Sequence, residues 1–351
     1  MTRLSLLTTI LSSVLFCVSC TSVKTIVLDV QKPAEITIPK TIASIGIVNN
    51  AVPQPATYGH RHLKYTEKGE RTYDEVSLPA DSNCILLTEL LFEELSGMNY
   101  FNNVSLYEYP LREDLAFEDV RRIDSLDVIE LAEIMNVDAI ISLDRFVVGS
   151  LSYEQPLSFE AEDRYLDMKM NTVFHIYSKN GNLISPPLSL SDSVYWQGMY
   201  DGDFQISYEG VPELSDAVKG AIAYIASASA ASFVPQWIEE YRTYYGDIKE
   251  ANKKVEADDW KGALEIWKAS YEAEQKNMKK KARLAGNIAL AYEIIDNIKE
   301  ALVWSDTAVK LFTESAETSV DMQNKENAES YHTHLIERFR EFKVLDLQDR
   351  D

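Results

Sequence analysis

The residue of this 351-residue chain with the clearest chemical assignment is Cys20. Arg3 opens the chain with a positive charge, residues 4–18 are mostly apolar, and Val18 and Ser19 place small side chains directly before the thiol. That order of charge, apolar run and small residues is a secretion signal. The run is shorter than the ~20 apolar residues a membrane-crossing helix needs. The chemistry implied is cleavage ahead of Cys20 and acylation of its sulfur, each lipid methylene contributing roughly 0.8 kcal/mol of burial. Cys17 leaves with the signal, so the C-x-x-C of residues 17–20 straddles the cut and is no metal or redox half-site. Cys84 sits in an apolar helical run and reads as a small buried hydrophobe.

The remaining reactive side chains make no recognisable catalytic set. His60 and His62 lie in a stretch rich in Pro and Gly, and His332 and His334 are two apart on a predicted helix, where they face different directions. The acids Glu160, Glu162 and Asp163, and Asp201 and Asp203, lack the twelve-residue pattern of a calcium loop. There is no G-x-S-x-G, P-loop, H-E-x-x-H or dinucleotide fingerprint. The expectation is a non-enzyme with no cofactor and no metal.

Charge narrows the partners. Without residues 1–19 the net charge is −23 over 332 residues. Residues 20–235 hold 15 Lys and Arg against 32 Asp and Glu, and residues 236–351 hold 18 against 24. Such a field repels polyphosphates, which excludes nucleic acid as the expected partner. It also disfavours docking on anionic lipid, leaving membrane association to the anchor on Cys20.

Elements to position any site divide at Pro235, beyond which the chain contains no proline. The reading is residues 1–19 signal, 20–40 tether, 41–235 an α/β domain and 236–351 an all-helical domain. In the front domain, residues 42–48 read as a buried β-branched strand and 51–80 as a long surface loop. A helix follows with Ile85, Leu86, Leu90, Leu91 and Leu95 at helical spacing. Then come a strand over 103–109, a helix over 125–135 and a strand from Asp138 toward Val148. Strands over 166–178 and 192–197 flank the hairpin signal at residues 180–182, and a small-residue helix lies over 212–235.

In the back domain, residues 258–267 and 297–304 are versions of one phrase, a polar turn and then a helix carrying Ala263 or Ala301. First helices of each pair are expected over 236–257 and 281–296, with a closing helix over 319–342. The phrase recurs at 38 residues. Trp237, Tyr241, Tyr244 and Tyr245, at near-helical spacing, are expected to pack as a seam between the domains. The basic run Lys276, Lys279, Lys280, Lys281 and Arg283 suits an anionic partner, the front domain's carboxylates, or a solvated turn.

These residues carry several resemblances. Residues 17–20 resemble a bacterial lipobox, with Cys17 where such boxes usually hold Leu, and Thr21 after the anchor implies an outer-membrane destination by analogy with enterobacterial sorting. The succession Ile45 to Val48, the helix over 87–97, the strand after Phe101 and residues 131–141 look like an α/β module shared by the curli secretion channel subunit, the N-terminal domain of TolB and a family of Bacteroidetes envelope lipoproteins. The repeated phrase resembles tetratricopeptide repeats. Such repeats bind peptides in a groove lined by their first helices. Asn252 and Asn287 fall where that resemblance places carboxylate-clamp residues or ordinary structural asparagines, while Ile248 stands at the clamp's first lysine position. With Arg283 they make the expected partner-binding groove.

The fold expected is therefore α+β, an α/β sandwich-like domain with a mixed sheet and packed helices, then an all-α repeat domain. The function expected is a non-catalytic, lipid-anchored envelope protein, in the outer membrane facing the periplasm, acting as an interaction or assembly module for other envelope proteins. Two alternatives are a subunit of a multimeric export channel, although residues 150–167 lack the alternation of barrel strands, and a ligand-binding or hydrolytic protein with a pocket near residues 51–80.

Overall fold

A computed structural model describes residues 23–156, 161–201 and 210–349. Contacts divide them into two compact units, residues 33–236 with 345–349, and residues 23–32 with 237–344. The fold is α+β: a mixed sheet with packed helices, then a run of five helices. Cys20 lies outside the described residues, as do the acids Glu160 and Asp203. No helix among the described residues is long and apolar enough to cross a membrane.

The α/β unit grows from β2 (Ser44–Asn49), whose β-branched run is buried on both faces. It pairs in parallel with β5 (Asn103–Leu106) and with the start of β6 (Ala139–Pro156). Parallel neighbours need crossovers, supplied by α1 (Asn83–Gly97) and α2 (Ser125–Met135). Asp124 caps α2 by accepting from the Leu126 N–H at 2.9 Å, and Asn136 closes it in the left-handed region at φ 52°. β6 then runs antiparallel to β7 (Ala161–Ser178), and β7 to β8 (Leu188–Asp201), across the turn at Gly181.

Residues 51–80 are more than a loop. They contain a hairpin, β3 (His60–Tyr65) and β4 (Arg71–Glu75), with β3 parallel to β6 at residues 150–152. One edge of β6 is thus shared by β2 along its first part and β3 further on. Between them Gln54, which is buried, acts as a piece of strand: its Oε1 accepts from the Val148 N–H and its Nε2 donates to the Val148 carbonyl, both at 2.8 Å.

Helices cover the sheet unequally. On one face α1 and α3 (Leu214–Phe233) bury Leu87, Leu91, Leu95, Ile225 and Phe233 against Ile45, Ile141, Met168 and Phe174. The small residues Ala221 and Ala226 of α3 are fully buried in that layer. Cys84 lies in it too, and burial pushes its thiol up to about 12. On the other face α2 packs Val128, Leu131 and Ala132 against Val48, Ile140 and Tyr177, joined by Tyr107, Leu111 and Ile123.

The helical unit corrects two expectations. Residues 23–32, read as tether, form β1 (Val23–Lys32), and it pairs with β9 (Gln236–Tyr245), where a helix was expected. The aromatic spacing that suggested a helix is a strand whose side chains alternate: Tyr244 is buried, while Trp237 and Tyr241 are exposed. Only residues from 249 onward turn helical, as α4 (Lys249–Glu256), α5 (Trp260–Ala273), α6 (Met278–Ile294), α7 (Ile298–Ser315) and α8 (Ser319–Gln348). The basic run is accordingly no turn, since Lys279, Lys280, Lys281 and Arg283 belong to the start of α6 behind its cap Asn277.

The 38-residue offset persists down to single hydrogen bonds. Asp258 and Asp296 both take positive φ, at 56° and 59°. The Asp259 N–H donates to the Lys254 carbonyl as the Asn297 N–H does to that of Tyr292, and the side chains of Asp259 and Asn297 cap α5 and α7. Ala263 and Ala301, both fully buried, let each second helix approach closely. Trp267, Leu284, Ile288 and Ala291 build the core with Ile26 and Leu28 of β1, and Leu335 of α8 closes the far end on Ile298 and Ala301.

Candidate functional site

Beyond α2, no helix among the described residues covers the second face of β6, β7 and β8, and β3 and β4 rise beside it. The result is an open concavity of about 880 Å³. Its floor includes Val147 and Gly149 of β6, Lys169 and Asn171 of β7 and Ser191 and Ser193 of β8; its wall is made by Tyr58, His60, Arg61, Tyr73 and Glu75. The 51–59 segment reaches this wall by pressing on β6. A Cβ on Gly149 would stand 2.9 Å from the Gly59 carbonyl oxygen, and Gly59 itself has φ +86°. Backbone cannot yield as a side-chain tip can, so both positions require glycine.

Several groups lining the concavity are already engaged. Arg145 donates to the Asn171 Oδ1, and the Asn171 Nδ2 donates to Ser191 Oγ at 2.7 Å. The Tyr224 hydroxyl donates to Asp192 at 2.7 Å, which holds that carboxyl below its ordinary range. Tyr58 meets Phe117 edge-on at 4.7 Å between centroids. His60 is 1% exposed and shares a 2.9 Å hydrogen bond between Nδ1 and Ser150 Oγ, while its Nε2 has no partner. Burial lowers its pKa, so the ring is neutral at pH 7.

Under α2 lies a polar cluster that the spacing of residues did not foretell. The pairing of β6 with β7 shifts register between Leu143 and Arg145, which leaves Asp144 as the extra residue of a bulge. Asp144 is fully buried and accepts from Asn50 Nδ2 at 2.6 Å and Ser142 Oγ at 2.8 Å, with His175 Nδ1 2.5 Å from its other oxygen. The carboxylate stands between the serine and the imidazole. A nucleophile must bond to the base that activates it, and here Ser142 bonds to the acid, so the cluster locks the bulge and the end of β2 and lacks the connectivity of a nucleophilic triad. The only hint in the sequence is a carboxylate inside the apolar run from Ala139 to Val148.

The three groove residues of the helical unit do come together, on the chain itself. Asn287 Oδ1 accepts from the Tyr245 N–H and its Nδ2 donates to the Tyr245 carbonyl, both at 2.8 Å. Asn252 Nδ2 donates to the Gly246 carbonyl at 3.0 Å, and Arg283 Nε donates to Asp247 at 2.8 Å. All three thus hold residues 245–247 of the chain itself. Lys279 pairs with Glu317 and Asp321, Lys280 with Glu274, and Lys281 lies 4.7 Å from the Tyr271 ring centroid, so these cations of the basic run are also engaged internally.

Beside that strand a cavity of about 420 Å³ is lined by Tyr245, Asn287, Phe312, Tyr331 and His334. At its end Arg242 donates to Glu293 at 2.8 Å and Glu240 at 2.6 Å, and Tyr331 donates to Glu293 at 2.7 Å. Burial raises the Glu240 carboxyl, but bonds from Lys32 and Arg242 outweigh it and hold it at about 2. His334 is pushed down by burial and by the Arg242 charge. His332, one of the spaced pair, bonds Ser305 instead. Among the described residues no three His, Cys, Asp or Glu side chains gather as a metal site would.

Comparison with known proteins gives two family matches. Residues 249–337 match the family described as Domain of unknown function (DUF6340), which covers α4 to α7 and much of α8. No curated protein matches the chain. Residues 42–245 match the family described as Domain of unknown function (DUF8603), a span that takes in the whole sheet of the α/β unit and also β9. Since that span exceeds half its length, the chain belongs to the DUF8603 family.

Proposed function

We propose that this protein is a non-catalytic envelope lipoprotein, acylated on Cys20 and held in the outer membrane facing the periplasm, which binds other envelope proteins. The observation that carries the reading is the open concavity on β6, β7 and β8. A wide surface whose Asn171 is already bonded to Arg145 and Ser191, and whose Asp192 is held by Tyr224, suits recognition of a protein surface better than bond chemistry. The anchor adds effective concentration toward neighbours on the same membrane.

Photo-crosslinking residues at Tyr73 and Ser193 test the site, with Leu115, 92% exposed and outside the concavity, as control. Discrete adducts with envelope proteins are expected from the first two and not from Leu115. The same adducts from all three would remove the concavity from the proposal. Incorporation of a palmitate analogue, expected in the native chain and lost in Cys20→Ala, tests the anchor.

A second reading is favoured by the unpartnered His60 Nε2, a small polar ligand held at the wall of residues 57–61. Isothermal titration with oligosaccharides and short peptides would show binding heat that His60→Phe abolishes.

A further inference from the structure

The two-stranded sheet of the helical unit buries one face and exposes the other. Ile26 and Leu28 of β1 and Tyr244 of β9 join the helical core. Side chains alternate along a strand, so Val23, Thr25 and Val27 share the opposite face with Trp237, Glu239 and Tyr241, and all six are exposed. Val27, Val23, Trp237 and Tyr241 are 51%, 56%, 68% and 69% exposed. A cluster of large apolar and aromatic side chains on one outward sheet face marks a contact surface.

We propose that this face lies on the lipid bilayer, in a zwitterionic headgroup zone, beside the acyl chains of Cys20; the inference rests on the acylation proposed above. Val23 is on the face itself and three residues from Cys20. At ~3.6 Å per residue the chain lets Val23 stray no further than about 10 Å from the anchored residue. The headgroup zone of one leaflet is about 5–8 Å deep, so the start of β1 is confined at its margin. From there the sheet can stand upright, leaving Trp237 and Tyr241 in water, or lie flat and place them among the headgroups. Trp and Tyr favour that zone because each has an apolar ring and a polar tip, and they select the flat orientation.

Charge selects the lipid. The cations of β1 are engaged, Lys24 with Glu256 and Lys32 with Glu240 and Glu341, and the outward face adds the carboxylates Asp29 and Glu239. With no cation to offer, the face suits neutral headgroups and is repelled by anionic ones.

The acylated full chain, reconstituted in phosphatidylcholine and phosphatidylethanolamine vesicles that contain a headgroup-level nitroxide lipid, tests this through tryptophan fluorescence. Quenching is expected in the native protein, and Trp237→Ser, an exposed change that leaves the thermal melt unmoved, should lose most of it. Undiminished quenching in Trp237→Ser, or none in the native protein, overturns the proposal. Replacing a third of the lipid by phosphatidylglycerol should weaken the quenching, and a gain would overturn the charge argument. The mass of the N-terminal peptide reports acylation separately. The same chain from residue 20, tethered through an N-terminal histidine tag to nickel-chelating lipid, keeps the face testable if no acyl group is found. A Trp237-dependent dimer in sedimentation, without quenching, would assign the face to a second copy and overturn the lipid assignment.

Discussion

The concavity of the α/β unit and the groove of the helical unit use the same device to opposite effect. Gln54 and Asn287 each give a side-chain carbonyl and amino group to one backbone residue, Val148 and Tyr245. Gln54 continues the edge of β6 from a connecting segment and leaves the neighbouring sheet face bare. Asn287 secures a strand of the chain itself, and its amide is spent on Tyr245. Side-chain amides thus extend sheets in both units, but only one extension leaves a surface for a partner.

The largest expected effect breaks the closed side of that comparison. Glu293 is the buried hub for Arg242 and Tyr331. Glu293→Ala leaves the buried Arg242 guanidinium with Glu240 alone and the Tyr331 hydroxyl without its acceptor, and removal of one partner of a buried pair costs about 3–5 kcal/mol. Urea unfolding followed by the fluorescence of Trp267, fully buried in the helical core, should show the loss. A change under ~1 kcal/mol would mean that Arg242 reaches water easily and that β9 is held loosely.

Next in size is a matched pair. Asn287→Ala and Gln54→Ala each leave a backbone N–H and a carbonyl without their partners, a loss of about 1–3 kcal/mol for a buried group. Near-equal destabilisation of the two units would mean that both amides act as strand extensions. If Asn287→Ala were neutral and acquired binding of an extended peptide, the groove would be one that the chain blocks and can release.

Acidification sharpens the same contrast. His334 has its pKa lowered in the folded state, so the stability it contributes is complete above its ordinary 6.5 and is lost as pH falls below it. Glu240, held at about 2 against an ordinary 4.5, loses its contribution as pH falls from 4.5 toward 2. The helical unit should therefore weaken in two steps, and His334→Gln should remove the upper one in a melting temperature measured from pH 8 to pH 3.

How legible each part was follows from the range of the interactions that make it. The β2, α1, β5, α2, β6 succession is local, a β-branched run or a 3.6-residue apolar period bounded by caps, and it stands in the sequence much as it folds. The 38-residue phrase was equally plain because each copy carries its own turn at Asp258 or Asp296. β9 was misread because Trp237, Tyr241 and Tyr244 satisfy a helical period as well as a strand, and its pairing partner β1 lies more than 200 residues away. The β3–β4 hairpin hid among Pro53, Pro55, Gly59 and Gly69, which announce turns without saying what lies between them. For the sites the contrast is sharper. Asn252 and Asn287 were picked out by the resemblance to repeats and Arg283 by its basic run, but the identity of what they hold depended on where residues 245–247 run. Asp144 and His175, 31 residues apart on neighbouring strands, meet only through the bulge.

The smallest expected effect bears on the open side. Lys169 and Tyr73 are exposed on the concavity, so Lys169→Ser and Tyr73→Ser should change stability by no more than about 0.5 kcal/mol. A surface kept for a partner differs from a packed one in this respect, because its side chains can be removed without cost until the partner is present. The double variant should therefore melt with the native protein yet lose the crosslinks formed from Ser193. Should it melt well below the native protein, Lys169 and Tyr73 would be supporting the β3–β4 wall, and the concavity would be closed by its own packing as the helical groove is.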